Sequence, residues 1–393
     1  MLIETLKLRD FRNYHELELK PHPGINLLFG QNGSGKTNLL EAVHYCALGR
    51  SHRTGMDREV VRKGAETAAC GVTILRRESR IDVAVKLMPG EARKKQVFID
   101  RKRAPRLSDL MGRVQCVIFS PEDLMLVKEG PAIRRRFVDM MLSQLSPGYF
   151  VALQQYQKAL DQRNALLRDA KRSGFLDGDV LEVFERAMAL PSQVIIPMRQ
   201  RMIGRVAQIA AEKYASISGR PGEIFSMTYA CCLPGVGEGE IAAAVAEKLR
   251  KSRQDDLFRG TTGFGIHRED VDLTLSGREM KLFASQGQIR TAALSMKLAQ
   301  LEVFQSETGE SPILLLDDVM SELDMTRRTH LLDEISGVQT FVTCTDESDL
   351  DGAKNRRTYR VSMNEELKGQ IHETREGEKV ETAEPVMDEP DFS

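Results

Sequence analysis

The stretch GQNGSGKT, residues 30–37, matches the phosphate-binding pattern G-x-x-x-x-G-K-[S/T] in full. Glycines let backbone N–H groups wrap around phosphate oxygens, and the helix that follows directs the positive end of its dipole at them. The lysine reaches the terminal phosphates, and the last hydroxyl ligates Mg²⁺. The expected ATP-binding residues are Gly30, Gln31, Asn32, Gly33, Ser34, Gly35, Lys36 and Thr37.

The sequence on both sides of this loop fits the motif. An apolar run at 25–29 predicts a buried strand, and apolar residues recur at helical spacing over 39–47 until Gly49. Strand, glycine-rich loop and helix therefore follow one another in the order that the phosphate-binding motif requires. Before them, the alternation of apolar and polar residues over 1–20 predicts a hairpin at a sheet edge.

A second acidic motif, ILLLDDVMSELD at 313–324, begins with an apolar strand and ends it with two carboxylates. Ligands of open α/β sheets bind at the carboxyl ends of strands. We expect Asp317 to hold Mg²⁺ through water and Asp318 to orient or deprotonate the attacking water. Asp318 and Lys36, which reaches the terminal phosphates, are the expected catalytic residues. By itself, an apolar strand that ends in Asp-Asp can equally be a strand followed by a solvated turn.

The stretch ASQGQIR at 284–290 has two compatible interpretations. Ser and Gln three residues apart form a capping box at the start of an amphipathic helix. The same helix start can form a signature loop that contacts the γ-phosphate bound to a second copy of the protein. Its position about 25 residues before the Asp-Asp strand is the order seen in ABC-type ATPases. The expected signature residues are Ser285, Gln286, Gly287 and Gln288, and the expected D-loop residues are Ser321 and Asp324.

Composition excludes several classes of protein. With 393 residues, 41 % hydrophobic and 29 % charged, the chain is typical of a cytoplasmic globular protein with two or three domains or one large insertion. No apolar run approaches the roughly eighteen residues of a membrane span, so we expect no membrane association. The six cysteines form no CxxC pair, so neither a zinc site nor a disulfide framework is indicated.

Charge is distributed unevenly along the chain. Residues 364–393 hold ten Asp or Glu and three Lys or Arg, a net charge of −7. Because the whole chain has a net charge of −1, residues 1–363 carry +6. We expect this acidic tail to be disordered, although it could also screen a DNA-binding face. Basic runs at 93–95, 101–106 and 134–136 fit either a solvated surface or contact with a phosphate backbone.

The chain resembles the RecF family of bacterial DNA replication and repair proteins. The matching stretches are LxLxDFRNY at 6–14, GQNGSGKTNLLEA at 30–42, FSPEDL at 119–124, RRRFVD at 134–139, QRNALL at 162–167, GIHRED at 265–270, ASQGQIR at 284–290 and LLLDDVMSELD at 314–324. The resemblance implies an α/β fold: an ABC-type P-loop ATPase head whose lobe I, a mixed sheet with helices, comprises residues 1–120 and 260–363. A mainly helical lobe II is expected as an insertion over 121–259, and the acidic tail over 364–393.

The same resemblance implies a function. Members of the family are weak, DNA-stimulated ATPases that use ATP and Mg²⁺ as a switch and form an ATP-dependent homodimer. They bind double-stranded DNA and single-strand gap junctions. With RecR and RecO they load RecA in gap repair, replication restart and the SOS response.

The chain departs from the family pattern at three positions. Ile266 and Glu269 stand where the family usually has Pro and Asp, and Ile289 stands where it has Gln. In common with the family, no His precedes Asp346, where many ABC ATPases sense the γ-phosphate. We expect Thr345 at that place and slow hydrolysis.

Three other kinds of ATPase share parts of this pattern. An SMC- or Rad50-like head would need a long coiled coil, which Pro191, Pro197 and the glycines of 233–240 are expected to interrupt. A transporter subunit would need a membrane partner. An OLD-like nuclease would carry an additional acidic metal-binding domain, for which the chain is expected to be too short.

Overall fold

The protein is described by a computed structural model over residues 1–77, 79–91, 94–345, 355–363 and 369–374. The strands are β1 Leu2–Phe11, β2 Tyr14–Leu19, β3 Ile25–Phe29, β4 Ala68–Leu75, β5 Arg80–Leu87, β6 Lys95–Ile99, β7 Lys102–Arg103, β8 Cys116–Phe119, β9 Phe225–Ala230, β10 Asp270–Leu275, β11 Arg278–Glu279, β12 Ile313–Asp317, β13 Thr340–Cys344, β14 Arg356–Met363 and β15 Gly369–Thr374. The helices are α1 Lys36–Leu48, α2 Met125–Lys128, α3 Pro131–Leu145, α4 Pro147–Ser173, α5 Gly178–Ser218, α6 Ile241–Lys251, α7 Arg253–Arg259, α8 Met280–Phe283, α9 Gln286–Thr308 and α10 Met325–Glu334.

The chain divides into two compact units. One comprises Met1–Asp123 with Gln300–Ser393, and the other comprises Leu124–Ala299. The sequence predicted that the chain returns to the first unit at residue 260. In the structure it returns at residue 300. The reason is strand pairing, because β10 pairs along its whole length with β9 of the second unit.

The first unit contains an antiparallel sheet in the order β2-β1-β4-β5-β6-β7. The hairpin predicted for residues 1–20 is confirmed: β1 and β2 pair with Leu6 opposite Leu19, and β2 forms the sheet edge. The face that carries Leu6, Leu8 and Val85 is buried in the core. Along β5, buried residues alternate with less buried ones, as a strand with one covered face requires.

A mixed sheet in the order β15-β14-β3-β13-β12-β8 carries the phosphate-binding loop. Strands β14, β3, β13, β12 and β8 run parallel to one another, and Leu27 and Leu28 of β3 are fully buried. A continuous apolar run is typical of a strand covered on both faces. Because the strands are parallel, the residues that follow β3, β12 and β13 meet at one edge of the sheet.

Part of the expected disordered tail is ordered. Residues 369–374 form β15, which pairs antiparallel with β14 and places Ile371 opposite Val361. The pairing satisfies the backbone hydrogen bonds along the open edge of β14, a gain that the composition of the tail does not reveal. Residues 364–368 and 375–393 of the predicted tail lie outside the described residues.

The second unit is mainly helical, with a small antiparallel sheet in the order β11-β10-β9. The interruption expected at Pro191 and Pro197 was wrong, since α5 continues through both prolines for 41 residues. Both prolines are buried, so tertiary packing outweighs the helix penalty of about 3 kcal/mol for proline. No helix of the described residues is long and apolar enough to cross a membrane.

Two of the departures from the family pattern have structural partners in this unit. The Glu269 carboxylate is buried, accepts hydrogen bonds from Arg199 at 2.7 Å and from the backbone N–H of Cys232 at 3.1 Å, and also pairs with the Tyr229 hydroxyl. Ile289 is buried in the first turns of α9. Glu269 therefore belongs to an internal ion-pair network rather than to an exposed loop.

Candidate functional site

The phosphate-binding loop joins β3 to α1 through backbone conformations that glycine favours. Gly30, Gly33 and Gly35 have φ angles of 152°, 82° and 109°. A Cβ atom on Gly30 would lie 2.2 Å from the carbonyl oxygen of Val361, so no side chain fits there. Gln31, Asn32 and Gly33 are exposed at the tip of the loop, where their backbone can meet a ligand.

Ser34 and Lys36, both within the phosphate-binding motif, are buried polar residues. The Lys36 ammonium donates hydrogen bonds to the carbonyl oxygens of Gly30 at 2.6 Å and Gln31 at 2.9 Å. Burial lowers the pKa of Lys36 from its ordinary value, while Cys344, Asp318 and Asp317 oppose that shift. The Ser34 hydroxyl is buried and has no hydrogen-bond partner within the described part of the chain. A phosphate oxygen would satisfy it, so the loop fits the ligand that its sequence predicts.

Asp317, at the end of β12, lies beside the start of α1. Its Oδ1 accepts hydrogen bonds from the hydroxyls of Thr37 and Thr343, each at 2.8 Å. Adjacent oxygen ligands of an octahedral Mg²⁺ are roughly 2.9 Å apart, from metal–oxygen distances of about 2.0–2.1 Å. The Thr37 hydroxyl and the Asp317 carboxylate are thus spaced as two neighbouring ligands of Mg²⁺ would be.

Asp318 has a backbone conformation that is uncommon for a residue other than glycine. Its φ is 52°, and its backbone N–H donates a hydrogen bond to Thr343 Oγ1 at 2.9 Å. The Ser321 hydroxyl donates to the Asp318 carbonyl oxygen at 2.9 Å. The two predicted D-loop residues are therefore used differently, since Ser321 braces Asp318 and Asp324 caps α10.

Thr343 was missed by the sequence analysis, although its hydroxyl donates to the Asp317 carboxylate and accepts from the Asp318 backbone N–H. It lies opposite Asp317 in the pairing of β12 with β13 and is buried. The available signal was a threonine near the end of an apolar run that precedes TDES at 345–348. Of that following stretch, Thr345 is described and exposed, while Asp346 lies outside the described residues.

The hairpin of β1 and β2 supports the loop from the other side. Asn13 Nδ2 donates to the Ser34 carbonyl oxygen at 3.0 Å, and Asn38 Nδ2 donates to Asn13 Oδ1 at 2.7 Å. The Tyr14 hydroxyl donates to the Gly35 carbonyl oxygen at 3.2 Å. The motif LxLxDFRNY contained Asn13 and Tyr14, but its sequence did not show that they contact the phosphate-binding loop.

Arg12 forms a bidentate ion pair with Glu41 of α1. The two N···O distances are 2.7 and 2.6 Å, and the Glu41 side chain is fully buried. Burial raises the pKa of Glu41, but hydrogen bonds from Arg12 and Ser51 outweigh it and hold that pKa below its ordinary value. This buried pair fixes the hairpin on α1 and so fixes Asn13 on the loop.

Beside the hairpin and α1 lies a cavity of about 570 Å³ with several cationic side chains in its wall. Arg12, Asn13, Asn38, Arg53 and Lys63 contribute to its lining. Amide groups and positive charge next to a phosphate-binding loop suit the remainder of an anionic ligand.

The predicted signature residues lie in the second unit. The expected capping box is present: Ser285 N–H donates to Gln288 Oε1 at 2.8 Å, and Gln288 N–H donates to Ser285 Oγ at 3.3 Å. Ser285 and Gln286 are exposed, and Gly287 and Gln288 are half-buried. Gln288 Nε2 also donates to Glu223 at 2.9 Å, so Gln288 anchors the helix start within its own unit.

Comparisons with known proteins place this geometry among DNA repair ATPases. Residues 2–369 match the family described as RecF/RecN/SMC N terminal domain. The chain is 42 % identical over 353 residues to the DNA replication and repair protein RecF of Acetivibrio thermocellus, covering 88 % of this chain and 94 % of that protein. It is 37 % identical over 384 residues to RecF of Lactobacillus delbrueckii subsp. bulgaricus, covering 96 % and 98 %.

Solved structures agree with the sequence comparison. The recombination mediator protein RecF with ATP is 32 % identical, with a TM-score of 0.85 over 95 % of this chain and 97 % of that one. A second RecF structure, with ATPrS, is 33 % identical, with a TM-score of 0.84 over 91 % and 95 %. The Smc head of Pyrococcus yayanosii is 13 % identical with a TM-score of 0.56 over 95 % and 97 %, which shows the shared ABC-type head fold alone.

Proposed function

Because the chain belongs to the RecF family of DNA replication and repair proteins, we propose that it is an ATP-dependent DNA-binding recombination mediator. It binds ATP at residues 30–37, forms a homodimer when ATP is bound, and binds double-stranded DNA and single-strand gap junctions. Acting in the cytoplasm with RecR and RecO, it helps to load RecA in gap repair, replication restart and the SOS response.

The contact between Thr37 and Asp317 carries this proposal. It joins the phosphate-binding loop to the carboxyl end of a neighbouring parallel strand at 2.8 Å, across 280 residues of sequence. Loop and acidic strand end are the two halves of a nucleoside triphosphate site. Bound Mg²⁺ would neutralise charge on the terminal phosphates, and Thr37 and Asp317 would hold it.

The other residues have roles that follow from their positions. The Lys36 ammonium, which now contacts two loop carbonyls, is placed to move onto the terminal phosphate. Asp318, braced by Thr343 and Ser321, orients the attacking water. Asn13 and Asn38 offer amide groups to the remainder of the nucleotide. Ser285 to Gln288 complete the site of a second protomer, so the protein is a weak, DNA-stimulated ATPase that acts as a switch.

Sedimentation velocity with and without ATP and gapped DNA tests this proposal. We expect a monomer without nucleotide, a dimer with ATP, and a larger complex when gapped DNA is added. Lys36→Ala should remain monomeric and bind ATP on the order of a hundredfold more weakly in calorimetry, because charge-assisted hydrogen bonds to phosphate are lost.

Lys20→Ala is the matched control, since Lys20 is an exposed lysine of the same unit. It should dimerise and bind ATP like the wild type. Wild-type protein that stays monomeric with ATP would contradict the switch. Unchanged ATP affinity of Lys36→Ala would contradict the nucleotide site.

A further inference from the structure

The hairpin of β6 and β7 concentrates positive charge at one edge of the antiparallel sheet. Residues 94–106 contain six Lys or Arg and one acidic residue, a net charge of +5. Arg101, Lys102 and Arg103 are all exposed. Within the described part of the chain, no ion pair neutralises these three cations. We call these three residues the basic hairpin.

The backbone of the basic hairpin is held in place by the rest of the sheet. Asp100 and Arg101 have φ angles of 50° and 62°, as in a tight two-residue hairpin turn. Asp100 N–H donates to the Asp82 carbonyl oxygen at 2.8 Å, and Asp82 N–H donates to Asp100 Oδ1 at 3.0 Å. Lys95, at the start of β6, is anchored by an ion pair with Asp57 at 2.9 Å. The hairpin therefore presents its cations from a fixed backbone.

The sheet face next to the basic hairpin carries residues with short side chains. Strand register places Arg103 opposite Phe98, Phe98 opposite Ala84, and Ala84 opposite Gly71, so these residues share one face. The residues beyond Phe98 are small, and long side chains would otherwise keep a bulky ligand away from this face. Lys86 lies two residues from Ala84 on the same face. Phe98, Ala84 and Lys86 are half-buried, so a polyanion that contacts the exposed hairpin cations would meet Lys86 on the same face.

We propose that the basic hairpin, together with Lys86, binds the sugar–phosphate backbone of duplex DNA. This inference rests on the DNA binding proposed above and names the surface that performs it. Charge complementarity favours DNA, because unpaired Lys and Arg on an exposed edge suit phosphates. A protein-binding surface would instead be expected to carry a cluster of large apolar anchors, whereas Phe98 is the one large apolar side chain among the residues named on this face.

Removing the charges tests the surface. In the triple variant Arg101→Asn, Lys102→Gln and Arg103→Gln, asparagine is chosen at 101 because it tolerates positive φ. The matched control is Lys248→Gln, Arg250→Gln and Lys251→Gln, which removes three exposed cations from α6 of the second unit. Fluorescence anisotropy would measure the affinity for a labelled random-sequence duplex of about 30 base pairs, in the presence of ATP and over a range of salt concentrations.

The hairpin variant should bind the duplex about tenfold or more weakly, to the same extent for unrelated sequences. The plot of log affinity against log salt should become less steep, its negative slope losing about 0.9 in magnitude for each lost phosphate contact and so up to about 2.7. The control should keep the wild-type slope, and both variants should keep wild-type ATP affinity in calorimetry.

Three results would overturn the inference. The hairpin variant could keep the wild-type affinity and slope, which would put the DNA on another surface. Both variants could lose affinity equally, which would reveal a general effect of net charge. The hairpin variant could keep DNA binding but lose binding to a polyglutamate peptide, which would make the surface one for acidic proteins. Wild-type protein that binds no duplex would instead contradict the proposed function itself.

Discussion

Asp318, for which a catalytic role is proposed, has an unusual backbone conformation. Its φ of 52° lies in the left-handed region, where asparagine and aspartate are tolerated better than other side chains with a Cβ. The backbone N–H is held by Thr343, so the conformation is supported by the neighbouring strand. The carboxylate can therefore be altered without altering the backbone, provided that the replacement is asparagine.

We predict that Asp318→Asn binds ATP normally but hydrolyses it about 10²–10⁴-fold more slowly, because the water loses the group that orients it. The ATP-bound dimer should accumulate. Steady-state phosphate release, calorimetry and sedimentation measure the three quantities. Asp317→Asn is the comparison, since it should instead weaken the dependence of ATP binding on Mg²⁺. Wild-type turnover by Asp318→Asn would assign the water to another residue.

Arg12 and Glu41 form a pair whose value for stability depends on both partners being present. Arg12→Ala would leave the buried Glu41 carboxylate with only Arg53, at 3.8 Å, as a cation, at a cost of up to about 3–5 kcal/mol in the free energy of unfolding. Urea denaturation at neutral pH measures this loss. The double variant Arg12→Met, Glu41→Gln should recover most of it, because it leaves no buried charge.

The pH dependence of the same pair has a definite sign. The pKa of Glu41 is lowered in the folded protein, so its contribution to stability is present above the ordinary pKa of glutamate and is lost as pH falls through the lowered value. The difference in unfolding free energy between the wild type and Arg12→Ala should therefore be largest near neutral pH and shrink below about pH 4. A difference that grows in acid would contradict the pairing.

At the scale of elements, helix α9 begins at the capping box that contains the predicted signature residues. Gln288 closes the box with Ser285 and also donates to Glu223, which itself accepts hydrogen bonds from Tyr214 at 2.9 Å and Arg220 at 3.0 Å. Glu223 thus positions the start of α9, although it lies 65 residues from Gln288 in the sequence. Burial raises the pKa of Glu223, but these hydrogen bonds together lower it, so the carboxylate is the form that makes them.

We predict that Glu223→Ala lowers the maximal ATPase rate about three- to tenfold, the equivalent of roughly one hydrogen bond, and leaves ATP affinity unchanged. Glu223→Gln should retain most of the activity, because its amide oxygen can still accept from Gln288. Glu247→Ala, which removes an exposed carboxylate of α6, is the control. A fall in ATP affinity rather than in rate would mean that Glu223 only stabilises the fold.

At the scale of the whole molecule, the proposed dimer shares each site between two protomers. Lys36→Ala should bind ATP only weakly, whereas Ser285→Arg should leave ATP binding intact and block dimer closure with a bulky cation. Mixed together, the two inactive variants can form a heterodimer in which one site pairs an intact Lys36 with an intact Ser285. Mixing should restore part of the ATPase activity, limited by the heterodimer fraction and its tolerance of one defective site. Hydrolysis by isolated Ser285→Arg monomers would contradict a shared site.

The sequence alone determined the features that depend on neighbours along the chain. The strand 25–29, the glycine loop and the helix to Gly49 follow from local periodicity and from backbone conformations that glycine favours, and all three are present. The capping box of Ser285 and Gln288 is likewise local, since its two residues lie within one helical turn. The hairpin of β1 and β2 follows from alternation and a short turn.

Only the tertiary structure decided which distant segments meet. Thr343 joins Asp317 and Asp318 because β12 and β13 are parallel neighbours, and residues 270–275 join the second unit because β10 pairs with β9. β15 forms within an acidic segment because the edge of β14 offers it hydrogen bonds, and α5 continues through Pro191 and Pro197 because both are buried. Each outcome depends on contacts between residues remote in sequence, whose free energy outweighs the local preferences that a sequence displays.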